Sequence, residues 1–166
     1  MTLDFNSLDS IKAAGFTGFK TMATLLAEPS VLPLTKGVYL VLNLDATPIR
    51  FLPKGAGGFF KGRDQNVTLE QLKQNWIMDT LVIYIGKAGG NGQATLRSRI
   101  KQYLAFGNGK AVGHWGGRFI WQIAASQSLV ICWKSIGEGD PRAVEADLIK
   151  KFIERFGARP FANLIG

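Results

Sequence analysis

Three short runs of apolar and β-branched residues constrain this fold more than any other feature of the sequence. They cover residues 38–44, 80–85 and 129–133, and each has the length and composition of a sheet strand. Another segment, residues 119–125, fits either a strand or a helix. Helical patterns separate these runs without any internal repeat. The sequence therefore predicts an α+β fold in a single domain over residues 1–166.

Apolar residues at spacings of three and four, or capping residues, predict the helices. The segments concerned are residues 7–28, 68–76, 95–104 and 140–156. The first segment is expected to form one or two short helices broken near Gly15 and Gly18, as part of an N-terminal helical extension over residues 1–35 that packs without carrying a site. The last begins with Asp140 as N-cap and Pro141 as the first helical residue.

The charge of the chain points to a polyanionic partner. Its 20 lysines and arginines outnumber 12 acidic residues and give a formal charge of +8, while 46% of its residues are apolar. A disordered basic tail is thereby excluded. Nucleic acid is the leading partner, because basic side chains release counterions from phosphates, and an anionic membrane surface is second. The alternative is that the lysines are simply solvated.

Cysteine usage and hydropathy indicate the compartment. Cys132 is the only cysteine, so it cannot form a disulfide within the chain, and its apolar neighbours predict that it packs in the core. The start of the chain does not resemble a secretory leader, and no run approaches the roughly 18 apolar residues of a membrane span. A cytoplasmic location and no membrane partner are expected.

Glu145 is the single most informative position. It precedes the apolar residues at positions 148, 149, 152 and 156 by spacings that put it on their face of the last helix. An ionised carboxylate there requires a metal ion, an arginine or a place at the rim of the core. The alternative is an acid near a helix N-terminus, stabilised by the helix dipole.

Two tyrosines and several cations complete a candidate site. Tyr39 and Tyr84 each lie in a predicted strand beside a glycine, where packing alone explains a tyrosine equally well. Lys87 follows the second tyrosine closely, and Arg99 and Tyr103 are one helical turn apart. Together these groups suit phosphodiester hydrolysis, which needs a base, a cation on the phosphate and donors for developing charge.

The order of these motifs resembles the GIY-YIG nuclease family, which includes repair, homing and some restriction endonucleases. The matching positions are Gly37-Val38-Tyr39, Tyr84-Ile85-Gly86-Lys87, Arg99, Tyr103, Glu145 and Asn163. The resemblance covers residues 36–166 and implies a small central antiparallel sheet of about three strands flanked by helices. It also implies a metal-dependent endonuclease that hydrolyses DNA, with one Mg²⁺ or Mn²⁺ ion.

Roles follow from the resemblance, position by position. Tyr39 would act as general base toward water, helped by Lys87, and Tyr84 would line the same pocket. Arg99 would bind the phosphate and Tyr103 would add a hydroxyl. Glu145 would hold the metal ion, and Asn163 would secure the framework of the site.

The chain departs from the family pattern between the two tyrosine motifs. Residues 40–83 are far longer than the usual hairpin, which predicts an inserted loop and short helix near Lys54, Lys61 and Arg63. This insert is expected either to touch DNA or to cover the sheet. Val38 replaces isoleucine in the first motif, a change between two β-branched residues that alters nothing.

Three further residues are candidate substrate contacts. His114 lies in a glycine-rich loop that ends at Arg118, and Lys101 lies on the basic helix. His114 could serve as an extra acid or phosphate donor, or simply form a structural hydrogen bond. A homodimer or a targeting partner is also compatible with a catalytic domain that has no second DNA-recognition domain.

Two rival functions remain at this level. The glycine-rich stretch 86–92 resembles a nucleotide phosphate cradle, but Lys87 precedes the glycines where a Walker lysine follows them. The second rival is a non-catalytic DNA-binding module of the same fold. Every motif position needed for turnover is filled, so the residues favour the enzyme.

Overall fold

The computed structural model describes residues 2–56, 59–60, 63–64, 66–90, 92–109 and 117–164, with only the backbone described at 59–60 and 63–64. Its α-helices are α1 (Leu8–Ala13), α2 (Met22–Ala27), α3 (Leu69–Asn75), α4 (Leu96–Gly107) and α5 (Pro141–Phe156). Its strands are β1 (Thr17–Thr21), β2 (Gly37–Leu42), β3 (Phe59–Phe60), β4 (Arg63–Asp64), β5 (Val82–Ala88) and β6 (Val130–Ser135). The α+β prediction is confirmed.

The main sheet has four antiparallel strands in the order β1-β6-β2-β5. The prediction of about three strands was wrong, because residues 17–21 of the expected helical extension form a strand against β6. Gly15 and Gly18 have φ values of 100° and 94°, which allow the chain to leave α1 and turn along β6. A Cβ atom on Gly18 would lie only 2.4 Å from the indole of Trp133. Close packing against that ring therefore fixes the strand.

The side chains of the strands alternate between two hydrophobic clusters on opposite faces of the sheet. Tyr39 and Val41 of β2 pack into the cluster that includes buried residues of α2 and α4. Val38 and Leu40 pack into the cluster that includes residues of α1 and α5. Cys132 is fully buried in the second cluster, which confirms its predicted place in the core.

The helix boundaries show why these segments form helices. Thr68 and Thr95 accept hydrogen bonds from the third residue after them and so cap α3 and α4. Asp140 caps α5, Pro141 opens it, and Gly157 ends it in the left-handed conformation with φ 76°. The predicted starts of all three helices are confirmed.

The insert packs against the segment 119–125, whose sequence fits either a strand or a helix. Residues 118–122 form a 3₁₀ turn, and the fully buried amide of Gln122 accepts from the backbone of Val67 and donates to its carbonyl and to that of Leu52. An isolated antiparallel bridge also joins Phe51 of the insert to Ile123. Within its described residues, the insert therefore covers part of the core.

None of the helices in the described ranges combines the length and apolar character that a bilayer crossing requires.

Candidate active site

The two tyrosine motifs lie side by side on adjacent strands. Tyr39 of β2 pairs with Gly86 of β5, and Val41 pairs with Tyr84. The ring of Tyr39 crosses Gly86 so closely that a Cβ atom there would lie 2.3 Å from the tyrosine Cζ. The glycine of the second motif thus makes room for the tyrosine of the first.

Three tyrosines form one buried group. The ring centroids of Tyr39 and Tyr84 are 6.0 Å apart, and Tyr103 of α4 lies 6.4 Å from the first and 5.6 Å from the second. The Tyr103 hydroxyl donates to the carbonyl of Gly117 at 2.9 Å. A Cβ atom on Gly117 would lie 2.9 Å from that hydroxyl, so this glycine is also required by the packing.

Burial controls the ionisation of Tyr39 and Tyr84. Burial raises the pKa of Tyr84 to about 12 and also raises the pKa of Tyr39 well above its ordinary value, while the positive charge of Arg99 opposes both shifts. A hydrogen bond between the two hydroxyls raises the pKa of Tyr39 and lowers that of Tyr84. The two tyrosines therefore titrate as one coupled pair.

Cations and a carboxylate share a pocket with these tyrosines. Its lining residues are Tyr39, Tyr84, Lys87, Gly89, Gly92, Ala94, Arg99 and Glu145. Lys87 belongs to β5, which extends beyond the predicted strand at 80–85 because β2 pairs with it as far as Ala88. Arg99 and Glu145 come from α4 and α5. Because β5 is the last strand in the sheet order, the pocket lies at the edge of the sheet, where helices from both faces meet.

Glu145 lies at the rim of the core, as its place on the apolar face of α5 requires. It is half-buried, while Leu148 and Phe152 beyond it are buried. Burial raises the pKa of the Glu145 carboxyl, and the charges of Lys87, Arg142 and Arg99 act against that rise. The negative charge of Glu145 in turn raises the pKa of both tyrosines. A cation held at Glu145 would reverse this last effect.

The donor set fits a magnesium ion shared with substrate. In the described part of the chain, no three or more His, Cys, Asp or Glu side chains are grouped to hold a metal ion. Mg²⁺ does not need such a group, because it retains waters and binds through one or two carboxylates plus substrate phosphates. Glu145, half-buried beside a pocket that Lys87 and Arg99 also line, provides the one carboxylate this binding mode requires.

Asn163 holds the edge strand of the site. Its side chain accepts from the amide of Ile85 at 2.9 Å and donates to the carbonyl of the same residue at 2.8 Å. Next to it, the amide of Ala162 donates to the carbonyl of Ile83 at 2.9 Å. The C-terminal segment therefore occupies the open edge of β5 directly beside Tyr84.

Other sequence-predicted residues lie outside the pocket. Lys101 is exposed on α4, and Arg118 lines a neighbouring groove with Asn163. Tyr103 lies behind the other tyrosines rather than in the pocket wall. His114 and Lys61 lie outside the described residues, so their suggested substrate contacts stay predictions.

Sequence reasoning missed two contributors to the site. Gly86 was noted only as part of a motif, and its contact with Tyr39 emerges from strand register. Arg142 influences the pKa of Glu145 and precedes it by three residues on the same helix. That i, i+3 spacing is a signal from which Arg142 could have been identified.

Comparison with known proteins yielded no match to a family model, a curated protein or a solved structure.

Proposed function

We propose that this protein is a metal-dependent endonuclease of the GIY-YIG type that hydrolyses phosphodiester bonds of DNA. The observation that carries the proposal is the single pocket formed by Tyr39, Tyr84, Lys87, Arg99 and Glu145. These residues come from four elements, β2, β5, α4 and α5. A pocket with two cations, a carboxylate and paired hydroxyls suits an anionic substrate and a reaction that moves a proton.

The chain's own residues have distinct roles in this reaction. Arg99 and Lys87 bind the scissile phosphate and stabilise the charge that develops on its oxygens. In its singly ionised form, the hydrogen-bonded pair of Tyr39 and Tyr84 takes up one proton from the attacking water. A new P–O bond forms as the bond to the leaving oxygen breaks, and solvent water protonates the leaving oxygen. Tyr39 keeps the base role that the resemblance implies, with Tyr84 sharing the charge.

Glu145 would hold the divalent ion. When bound, Mg²⁺ or Mn²⁺ supplies positive charge at the phosphate and favours the ionised form of nearby hydroxyls. Burial supports this role, because a carboxylate whose pKa is raised by desolvation gains from a cation that replaces lost water.

The test is nicking of supercoiled plasmid in the presence of Mg²⁺, by the wild type beside Glu145→Ala and Tyr39→Phe. The phenylalanine keeps the buried ring and removes only the hydroxyl. We expect nicking by the wild type and a loss of at least about 100-fold in each variant. DNA binding without nicking by any preparation would refute the enzyme and favour the non-catalytic binding module.

A further inference from the structure

A groove leads away from the candidate site along one face of α5. Glu145 lines both the active-site pocket and this groove, whose wall continues through Lys150 and Ile153 to Arg159. Ile153 and Arg159 also line the next depression, and Arg118 is a further lining residue of that depression. The shared lining residues make one continuous path from the pocket to Arg118.

The charge along this path is predominantly positive. Arg142, Lys150, Arg159 and Arg118 border it, and apart from Glu145 the only acid that lines it among the described residues is Glu154. Besides Asn163, whose amide is hydrogen-bonded to Ile85, the far depression has three amide side chains on its wall, from Gln71, Gln74 and Asn75. Arginine, lysine, asparagine and glutamine are the side chains that contact phosphates of nucleic-acid backbones.

The length of the groove matches several nucleotides. Ile153 lies eight positions after Glu145 in α5, so the two residues are roughly 12 Å apart along the helix axis at 1.5 Å per residue. This corresponds to about three or four nucleotides of one strand at 3.4 Å each. Ile153 is 37% exposed at the centre of the path, so an apolar floor lies between flanking cations.

We propose that this α5 groove binds the backbone of the DNA strand that continues from the scissile phosphate. The proposal rests on the proposed nuclease function and adds where the substrate runs. Lys150, Arg159 and Arg118 contact successive phosphates away from the cleaved bond. These side chains position the substrate and take no part in the chemical step.

The test measures DNA affinity by fluorescence anisotropy across a salt series without divalent metal. The groove variant is Lys150→Gln/Arg159→Gln, and its matched control is Lys12→Gln/Lys20→Gln. The control removes the same charge from exposed positions in α1 and in β1, the strand at the opposite edge of the sheet. We expect the groove variant to bind about tenfold more weakly and to lower the slope of log K against log salt by about two. The control should leave that slope unchanged.

A second pair of variants tests whether the charge within the groove, rather than the net charge of the protein, determines DNA binding. Ile153→Glu places a negative charge on its floor, whereas Ile153→Gln has the same shape without charge. The glutamate should weaken binding much more than the glutamine, with thermal unfolding of both checked by circular dichroism. Equal effects of the groove and control doubles would overturn the groove assignment even if the wild type nicks plasmid. Weaker binding by the groove double without nicking by the wild type would retain the groove and refute the nuclease.

Discussion

At the scale of single residues, Gly86 determines where Tyr39 lies. The aromatic ring crosses the glycine on the neighbouring strand at a distance that no side chain permits. Tyr39 is 1% exposed and is surrounded by two other tyrosine rings, so it has little room to move elsewhere. The position of its hydroxyl therefore depends on the absence of a methyl group at residue 86.

Gly86→Ala is expected to displace Tyr39 and abolish most nicking. The added Cβ would lie 2.3 Å from the ring, and a shift of about 1 Å in a catalytic group lowers rates about 100-fold. Overpacking should also cost about 1–3 kcal/mol of stability. Gly137→Ala is the control, because its Cβ would meet nothing within 4 Å. Equal plasmid-nicking rates for the two variants would contradict the role of Gly86.

Glu145→Gln is expected to raise the melting temperature at pH 8 while it removes activity. Because burial raises the pKa of the native carboxyl, its ionised form opposes folding above that pKa. The advantage of glutamine should shrink as the pH falls through that raised pKa. It should vanish below about pH 4, where both folded and unfolded glutamate are protonated. Melting curves of the two proteins from pH 4 to pH 8 measure this difference.

Magnesium provides the complementary measurement. An ion that binds only the folded wild type raises its melting temperature in proportion to the logarithm of its concentration. The glutamine variant, which lacks the anionic ligand, should show no such rise. A magnesium shift of equal size in both proteins would place the metal away from Glu145.

At the scale of elements, β5 contributes Tyr84 and Lys87 to the site, and Asn163 forms hydrogen bonds along its outer edge. Without that side chain, the amide and carbonyl of Ile85 both lose their partner outside the sheet. Tyr84 and Gly86 flank Ile85, so any loosening reaches both motif residues. The C-terminal segment is thus a structural part of the candidate site.

Asn163→Ala is expected to destabilise the protein by about 1–3 kcal/mol, because buried backbone groups are left without partners. Urea unfolding measures this cost, and hydrogen exchange at the Ile85 amide should become faster. Asn163→Asp keeps an acceptor for the amide but opposes the Ile85 carbonyl with a carboxylate oxygen, so it should not restore stability. The exposed Asn6→Ala is the control. Unchanged exchange at Ile85 would show that Asn163 does not secure the strand.

The sequence predicted those elements whose own residues encode their structure. β2, β5 and β6 have continuous apolar runs, and α3, α4 and α5 begin with good caps. β1 could not be predicted, because residues 17–21 lack such a run and extend only through pairing with β6. The residue pattern of a segment does not show which strand it will pair with.

The site was only partly predictable for the same reason. The apolar face of α5 was enough to single out Glu145. The contact between Tyr39 and Tyr84 depends on the register of β2 and β5. In the sequence, only the order of the motifs suggested this contact. The hydrogen bond from Tyr103 to Gly117 joins α4 to a distant turn, which no spacing along the chain encodes.

At the scale of the whole molecule, the N-terminal segment belongs to the core. Its buried side chains are Phe5, Ile11, Phe16, Met22, Leu25 and Leu32. They contribute to the clusters on both faces of the sheet, and β1 pairs along β6. Burial of each such side chain stabilises a fold by about 1.5–3 kcal/mol. Together they contribute on the order of 10 kcal/mol, which is comparable to the entire net stability of a typical domain.

A fragment of residues 36–166 is therefore expected to lack a cooperative thermal transition, although it retains every motif residue of the proposed site. Removal of the segment leaves β6 without its outer partner and exposes the face of Trp133 that Gly18 now covers. Circular dichroism melting and tryptophan fluorescence of the fragment and the full chain test this expectation. A fragment with the same melting temperature and the same blue-shifted fluorescence as the full chain would mean that the fold does not need the N-terminal segment.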